Sequence, residues 1–156
     1  MGWKKQERGY SYLIVMFAVA VLSILSVRAI EHTYAKELRA KEAELLFVGA
    51  AYRNAIREYY DMSPGTAKSY PASLEDLLLD NRTTTMRRPL RKLYRDPMTG
   101  SSEWGLVRND EGKIIGVYSL SGRKPMKTGG FSTEFASFAS AKTYSDWRFI
   151  YQSSSN

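Results

Sequence analysis

The stretch that decides the fold is Tyr10-Ser11-Tyr12-Leu13-Ile14-Val15-Met16-Phe17-Ala18-Val19-Ala20-Val21-Leu22-Ser23-Ile24-Leu25-Ser26-Val27. It carries no charged residue; Lys4, Lys5 and Arg8 precede it and Arg28 closes it. Eighteen apolar or small residues in an α-helix rise about 27 Å, close to the hydrocarbon thickness of a bilayer. A membrane-spanning helix over residues 10–28 is therefore expected. The basic flank would hold the N-terminus cytoplasmic, with the remainder of the chain exported. Ala18-Val19-Ala20 imitates a signal-peptidase site. The apolar run, however, exceeds the roughly 7 to 15 residues of a signal-peptide core, and cleavage there would leave a greasy new terminus. A retained anchor accounts for more of the pattern.

Beyond Arg28 no proline occurs before Pro64, and Gly49 is the only glycine between Tyr10 and Gly65, so the helix is expected to continue to about Tyr60. Such a helix would be on the order of 75 Å long. Ile30, Tyr34, Leu38, Leu45, Val48, Tyr52, Ile56 and Tyr59 recur at helical spacing and form one apolar stripe, which is read as core. Lys36, Glu37, Arg39, Lys41, Glu44, Arg53 and Arg57 are assigned to the opposite, solvated face.

Composition narrows the chemistry. The 156 residues allow one domain besides an anchor, and 44% hydrophobic with 25% charged residues is ordinary for a folded chain. No cysteine is present, so disulfides, thiolate metal sites and cysteine nucleophiles are excluded. The single histidine, His32, would have to serve any zinc or Ser-His-Asp site alone, and it falls on the charged helix just behind the apolar run. No carboxylate pair, activated nucleophile or metal cluster stands at recognisable spacing, so the chain is read as a non-enzyme without cofactor or metal. Asp96 and Asp146 are read as capping or orienting apolar turns.

After the helix, Asp61 to Thr66 is dense in turn formers. Ser73 to Leu79 reads as a short helix capped by Ser73, with Leu74, Leu77 and Leu78 on its apolar face. Three strands are expected, at Trp104 to Arg108, Lys113 to Ser121 and Trp147 to Gln152, the first two joined by the hairpin loop Asn109-Asp110-Glu111-Gly112 and hence antiparallel. Gly122 to Ser145 reads as a long loop pinned by Phe131, Phe135 and Phe138. The fold class is α+β: a long N-terminal helix, its first half in the membrane, packed on a small antiparallel sheet.

Arg82, Arg87, Arg88, Arg91, Lys92 and Arg95 fall within fourteen positions, and the chain as a whole carries a net charge of +7. This segment is a candidate surface for an anionic partner. Apart from Tyr94 no aromatic residue is interleaved for base stacking and no nucleic-acid motif surrounds it, so a solvated or subunit-facing role outweighs nucleic-acid binding.

Gly9-Tyr10-Ser11-Tyr12-Leu13-Ile14-Val15, behind a short basic leader and ahead of an apolar run, resembles the prepilin peptidase site of type IV pilins and type II secretion pseudopilins. Tyr70-Pro71-Ala72-Ser73-Leu74-Glu75-Asp76-Leu77, Arg95-Asp96-Pro97-Met98-Thr99-Gly100, Trp104-Gly105-Leu106 and Val117-Tyr118-Ser119-Leu120-Ser121 are similar to the globular part of the major, G-type pseudopilin. The resemblance implies a leader over residues 1–9, cleavage between Gly9 and Tyr10, N-methylation of Tyr10, and a single-pass inner-membrane protein. Its periplasmic domain would cover residues 29–152, with a helix over 29–60, a short helix over 73–79 and the sheet over about 104–152. Implied partners are other pilin-like subunits, prepilin peptidase and the inner-membrane assembly platform, in a filament serving protein transport. Two positions depart from the pattern. The fifth mature residue, usually Glu, is Ile14, which points to a minor or atypical subunit. The loop Gly122 to Ser145, where the major pseudopilin binds calcium through aspartates, has Glu134 as its one acid, so no calcium site is expected there. Asp96, Asp110 and Glu111 are the acids left to test for one. The alternative function is a minor pilin that grips DNA or another anionic ligand through the basic segment.

Overall fold

The computed structural model describes residues 8–82 and 85–153; the side chains of residues 8, 9 and 25–32 are likewise outside the description. Met1 to Glu7 of the expected leader, and the side chains of Ile30 and His32, therefore lie outside the described residues. The chain is α+β and divides into two compact units, Met1–Leu38 and Arg39–Asn156.

One helix, α1, runs Arg8–Asp61 over 54 residues, as the absence of proline and near-absence of glycine lead one to expect. In the first unit every large apolar side chain described between Tyr10 and Ile24 is exposed, all round the helix. The Ser23 hydroxyl donates back to the Val19 carbonyl at 2.8 Å, satisfying itself within the helix. Among the described residues no helix is long and apolar enough to cross a membrane. The run whose side chains are described ends at residue 24, short of the roughly 20 apolar residues a span requires, and residues 25–27, which would complete it, are outside the described side chains.

The second unit is built on the rest of α1 and a three-stranded antiparallel sheet in the order β1 (Gly105–Arg108), β2 (Ile114–Tyr118), β3 (Arg148–Ile150). Leu106 faces Val117 across β1 and β2, a register shift follows Val107, and Val117 faces Phe149 across β2 and β3. Leu45, Val48, Tyr52, Ile56 and Tyr59 of α1 are buried, so from Leu38 onward the stripe is core; Tyr34, expected in it, is 55% exposed. The hairpin closes on Asn109, whose Oδ1 accepts the N–H groups of Glu111 and Lys113, and Gly112 takes the positive φ of 73° that the turn requires.

Three expectations need correction. The helix expected over 73–79 is a single 3₁₀ turn, Glu75–Leu77, and Ser73 does not cap it. Instead the Asp76 carboxylate reaches back and accepts the backbone N–H groups of Ala72 and Ser73, both at 2.9 Å. Arg53, assigned to the solvated face, donates through Nε to the Ile150 carbonyl at 3.0 Å and pairs with Glu134 at 3.2 Å, so it ties α1 to the end of β3. The stretch Gly122 to Ser145, expected as a long loop throughout, contains 3₁₀ turns at Thr133–Ser140 and Tyr144–Asp146. Its phenylalanines do pin it. Phe138 stacks on Trp147 at 5.4 Å and meets Phe149 edge-on, while Phe131 meets Trp147 and Phe135 meets Phe149.

Candidate functional site

Gly9 and Tyr10 fall in the first turn of α1. Glycine adapts most readily to an extended path. Tyr10 is 77% exposed, and Ile14, one turn further on, is 59% exposed. An aliphatic side chain at position 14 offers a neighbour dispersion contact and no charge. Any partner for an amine would have to come from elsewhere.

The basic segment is divided by the fold into one internal residue and an exposed set. Arg82 is turned inward: its guanidinium donates to both Asp80 carboxylate oxygens at 2.8 and 2.7 Å, to Ser63 and Ser69 Oγ, and to the Tyr59 carbonyl at 2.7 Å, and it lies 3.4 Å from the centre of the Tyr59 ring. Asp80 is only 2% exposed, and its hydrogen bonds from Arg82 hold its carboxyl below the usual carboxylate range. Asp80 is thus a buried carboxylate paired with a partly exposed Arg82 whose donors are all engaged, the condition under which burial of charge is tolerable. Arg87, Arg88, Arg91, Lys92 and Arg95 are exposed. Arg87 uses its backbone to bridge Asp80, with N–H···O distances of 2.8 and 3.0 Å, and leaves its side chain at the surface. Arg88 reaches the Leu78 and Arg91 carbonyls at 3.3 and 3.4 Å, and Lys92 lies over the Tyr94 ring at 5.2 Å.

Three of the sequence segments quoted for the resemblance, at Arg95–Gly100, Trp104–Leu106 and Val117–Ser121, are held to one another. Fully buried Asp96 accepts the Met98 N–H, the Thr99 hydroxyl at 3.0 Å and the Ser119 hydroxyl at 2.7 Å, which locks the Arg95–Gly100 turn to the residue just after β2. The Tyr94 carbonyl accepts from Trp104 Nε1 and from the Tyr52 hydroxyl of α1, and the Ile114 N–H donates to the Pro71 carbonyl. Asp96 orients a turn as expected. So does exposed Asp146, whose carboxyl is held low by the Thr143 and Lys142 N–H groups and the Thr143 hydroxyl. With Asp96 buried and engaged in this way, Asp110 and Glu111 are left exposed on the hairpin. Among the described residues no group of three His, Cys, Asp or Glu side chains gathers to hold a metal.

A buried polar site went unread in the sequence. Glu42 is 3% exposed, and its Oε1 accepts the N–H groups of Met126 and Lys127 at 2.7 and 3.0 Å and the Tyr144 hydroxyl at 2.9 Å. Burial and the neighbouring carboxylate push the Tyr144 hydroxyl well above its ordinary range. The signal was available: Glu42 and Gly49 stand at stripe positions, four residues after Leu38 and Leu45, where an apolar side chain is expected.

Among the grooves bordering α1 in this unit, two are of similar size. One of about 510 Å³ is lined by Arg57, Glu58, Asp61 and Arg91 among others, charges of both signs. The other, about 480 Å³, lies beside Glu42 and Met126 to Gly129. Neither gathers a nucleophile with a base. No protein-family model, curated protein or solved structure matches the chain.

Proposed function

We infer that the chain is a structural subunit, a pseudopilin or minor pilin, of a type II secretion or type IV pilus-like filament. In this reading residues 10–28 anchor it once in the bacterial inner membrane, the N-terminus is cytoplasmic and the α+β unit is periplasmic. Prepilin peptidase cleaves between Gly9 and Tyr10 and methylates the Tyr10 amine. Other pilin-like subunits and the inner-membrane assembly platform are its partners, and no catalysis is required.

One observation carries this reading: apolar side chains are exposed on every side of α1 from Tyr10 to Ile24, whereas from Leu38 onward the same helix supplies the core of a folded unit. A helix that is apolar all round calls for lipid or other apolar helices as its surroundings. Ser23 fits such surroundings, because its hydroxyl is already bonded to Val19. Lateral packing of such rods offsets their removal from lipid without any motif for chemistry. Ile14 in place of a carboxylate suits a minor subunit that does not neutralise a neighbour's amine.

The test is mass spectrometry of the membrane-extracted protein from cells with and without prepilin peptidase. The expected product begins at Tyr10 and carries one methyl group, in peptidase-positive cells only. A chain that keeps Met1 to Gly9 in those cells sinks the proposal.

A further inference from the structure

The two edges of the sheet are not alike. The Tyr151 N–H donates to the Ile115 carbonyl, so Ile115 and Val117 of β2 turn their backbone groups to β3, and the alternate residues Gly116 and Tyr118 turn theirs to Val107 and Gly105 of β1. Leu106, between those two, therefore directs its N–H and carbonyl away from β2. Neither group has a hydrogen-bond partner among the described residues. At the opposite edge the outward Ile150 carbonyl of β3 accepts from Arg53, so that edge is covered and the edge of β1 is open.

A groove of about 470 Å³ lies at this open edge, lined by Leu106 together with Leu74, Leu120, Glu75, Glu103 and Arg108. Leu74 and Leu106 are half-buried and Leu120 is 49% exposed, which gives the groove an aliphatic lining, while Glu75 and Glu103 stand exposed. The Arg108 guanidinium is turned to the Gly112 and Ala72 carbonyls, at 2.6 and 3.5 Å. Neither Glu75 nor Glu103 is ion-paired among the described residues.

We propose that the open edge of β1 accepts an added strand, an extended segment of a partner protein in which aliphatic and basic residues alternate. The unpaired Leu106 groups call for a backbone in strand conformation about 4.8 Å from β1. Successive side chains of such a strand point to opposite sides, so aliphatic ones meet Leu74, Leu106 and Leu120 while basic ones meet the two glutamates. A proline-rich segment could not complete the pairing, and an acidic one would face Glu75 and Glu103. A second copy of this chain would carry its own Glu75 and Glu103 into the contact, so charge disfavours self-pairing. The inference stands on residues of the second unit and holds whether or not the chain joins a filament.

The probe is a blocked heptapeptide of alternating lysine and valine, added to isotope-labelled full-length protein in detergent. In the free protein the Leu106 amide should exchange quickly with solvent and the Val117 amide, inside the sheet, slowly; the peptide should slow Leu106 selectively. Glu75→Lys with Glu103→Lys should weaken binding on the order of tenfold, the amide spectrum showing that the fold is kept. N-methylation of alternate peptide amides leaves the protein untouched. It should abolish binding in one phase and be tolerated in the other, because an edge strand turns only every second amide to its neighbour. Failure of the peptide to protect Leu106, equal binding of a glutamate and valine heptapeptide, indifference to the phase of methylation or to the charge reversals, or protection of Leu106 by raised protein concentration alone overturns the proposal.

Discussion

The ring of Phe149 in β3 fills the space over Gly49 of α1 in which any side chain would stand: a Cβ added to Gly49 would fall inside the contact distance of three ring carbons. Gly49 is buried on the stripe, so the helix accepts its poor helix propensity in return for an aromatic ring seated directly on its backbone.

Gly49→Ala should therefore destabilise the protein by about 1–3 kcal/mol despite alanine's better helix propensity, because the overlap forces Phe149 from its place. Pairing it with Phe149→Leu should recover part of that loss. Denaturant unfolding of the four combinations measures it; a Gly49→Ala variant more stable than the parent would mean that the ring yields freely.

Glu42 organises the turn at Met126 and Lys127 through backbone donors. Glu42→Ala strands those part-buried N–H groups and the buried Tyr144 hydroxyl, and a loss of about 2 kcal/mol is expected, since a fully buried unpaired group costs roughly 1–3 kcal/mol and the N–H groups can turn to water. Tyr144→Phe removes one donor and leaves the others paired, so about 1 kcal/mol is expected. Hydrogen exchange at Met126 and Lys127 should accelerate in the first variant and stay slow in the second.

The Asp80 and Arg82 pair sets an acid limb. The folded-state pKa of Asp80 lies below its ordinary value, so its contribution is present above the unfolded carboxyl's range, near pH 4, and is lost as pH falls through the depressed folded value. Arg82→Ala should cost about 3 kcal/mol at neutral pH by leaving a buried carboxylate alone. It should also flatten the acid limb. Arg82→Lys should restore little, because one ammonium cannot reproduce the fork onto both oxygens or the face contact with Tyr59. Thermal unfolding across the acid range checks both.

Calcium withdrawal should leave the melting temperature unchanged. Asp96, buried and bonded to Ser119 beside β2, already receives hydrogen bonds on both oxygens. A ligand bound only by the folded state would raise the melting point in proportion to its occupancy. A rise in millimolar calcium, removed by chelator, would point to the exposed hairpin acids Asp110 and Glu111.

What the sequence disclosed follows from periodicity. The helix from Leu38 to Tyr59 and all three strands were legible, because burial on one face imposes a spacing that side chains reveal. Polar residues at the margin of that face were not. Arg53 has the composition of a solvated position, yet Ile150 and Glu134, distant in sequence, claim it. Asp76 caps backward over the residues that precede its turn, a role that residue type alone assigns to Ser73. The basic run told its charge but not its division, since only the three-dimensional placing of Ser63, Ser69 and Tyr59 draws Arg82 away from its neighbours. The Thr133–Ser140 segment escaped because short 3₁₀ turns have almost no periodic signature.

The strand that covers α1 is made long after the helix it covers, separated from Gly49 by a hundred positions of sequence. Until Phe149 and Trp147 emerge, the stripe on α1 and the phenylalanines at 131, 135 and 138 have no lid, and contacts of such wide separation are slow to close. The nascent polypeptide is thus a sticky, half-finished sandwich until that strand is made, and a chain stopped a few residues before Arg148 should be degraded or aggregate instead of persisting as a smaller version of itself.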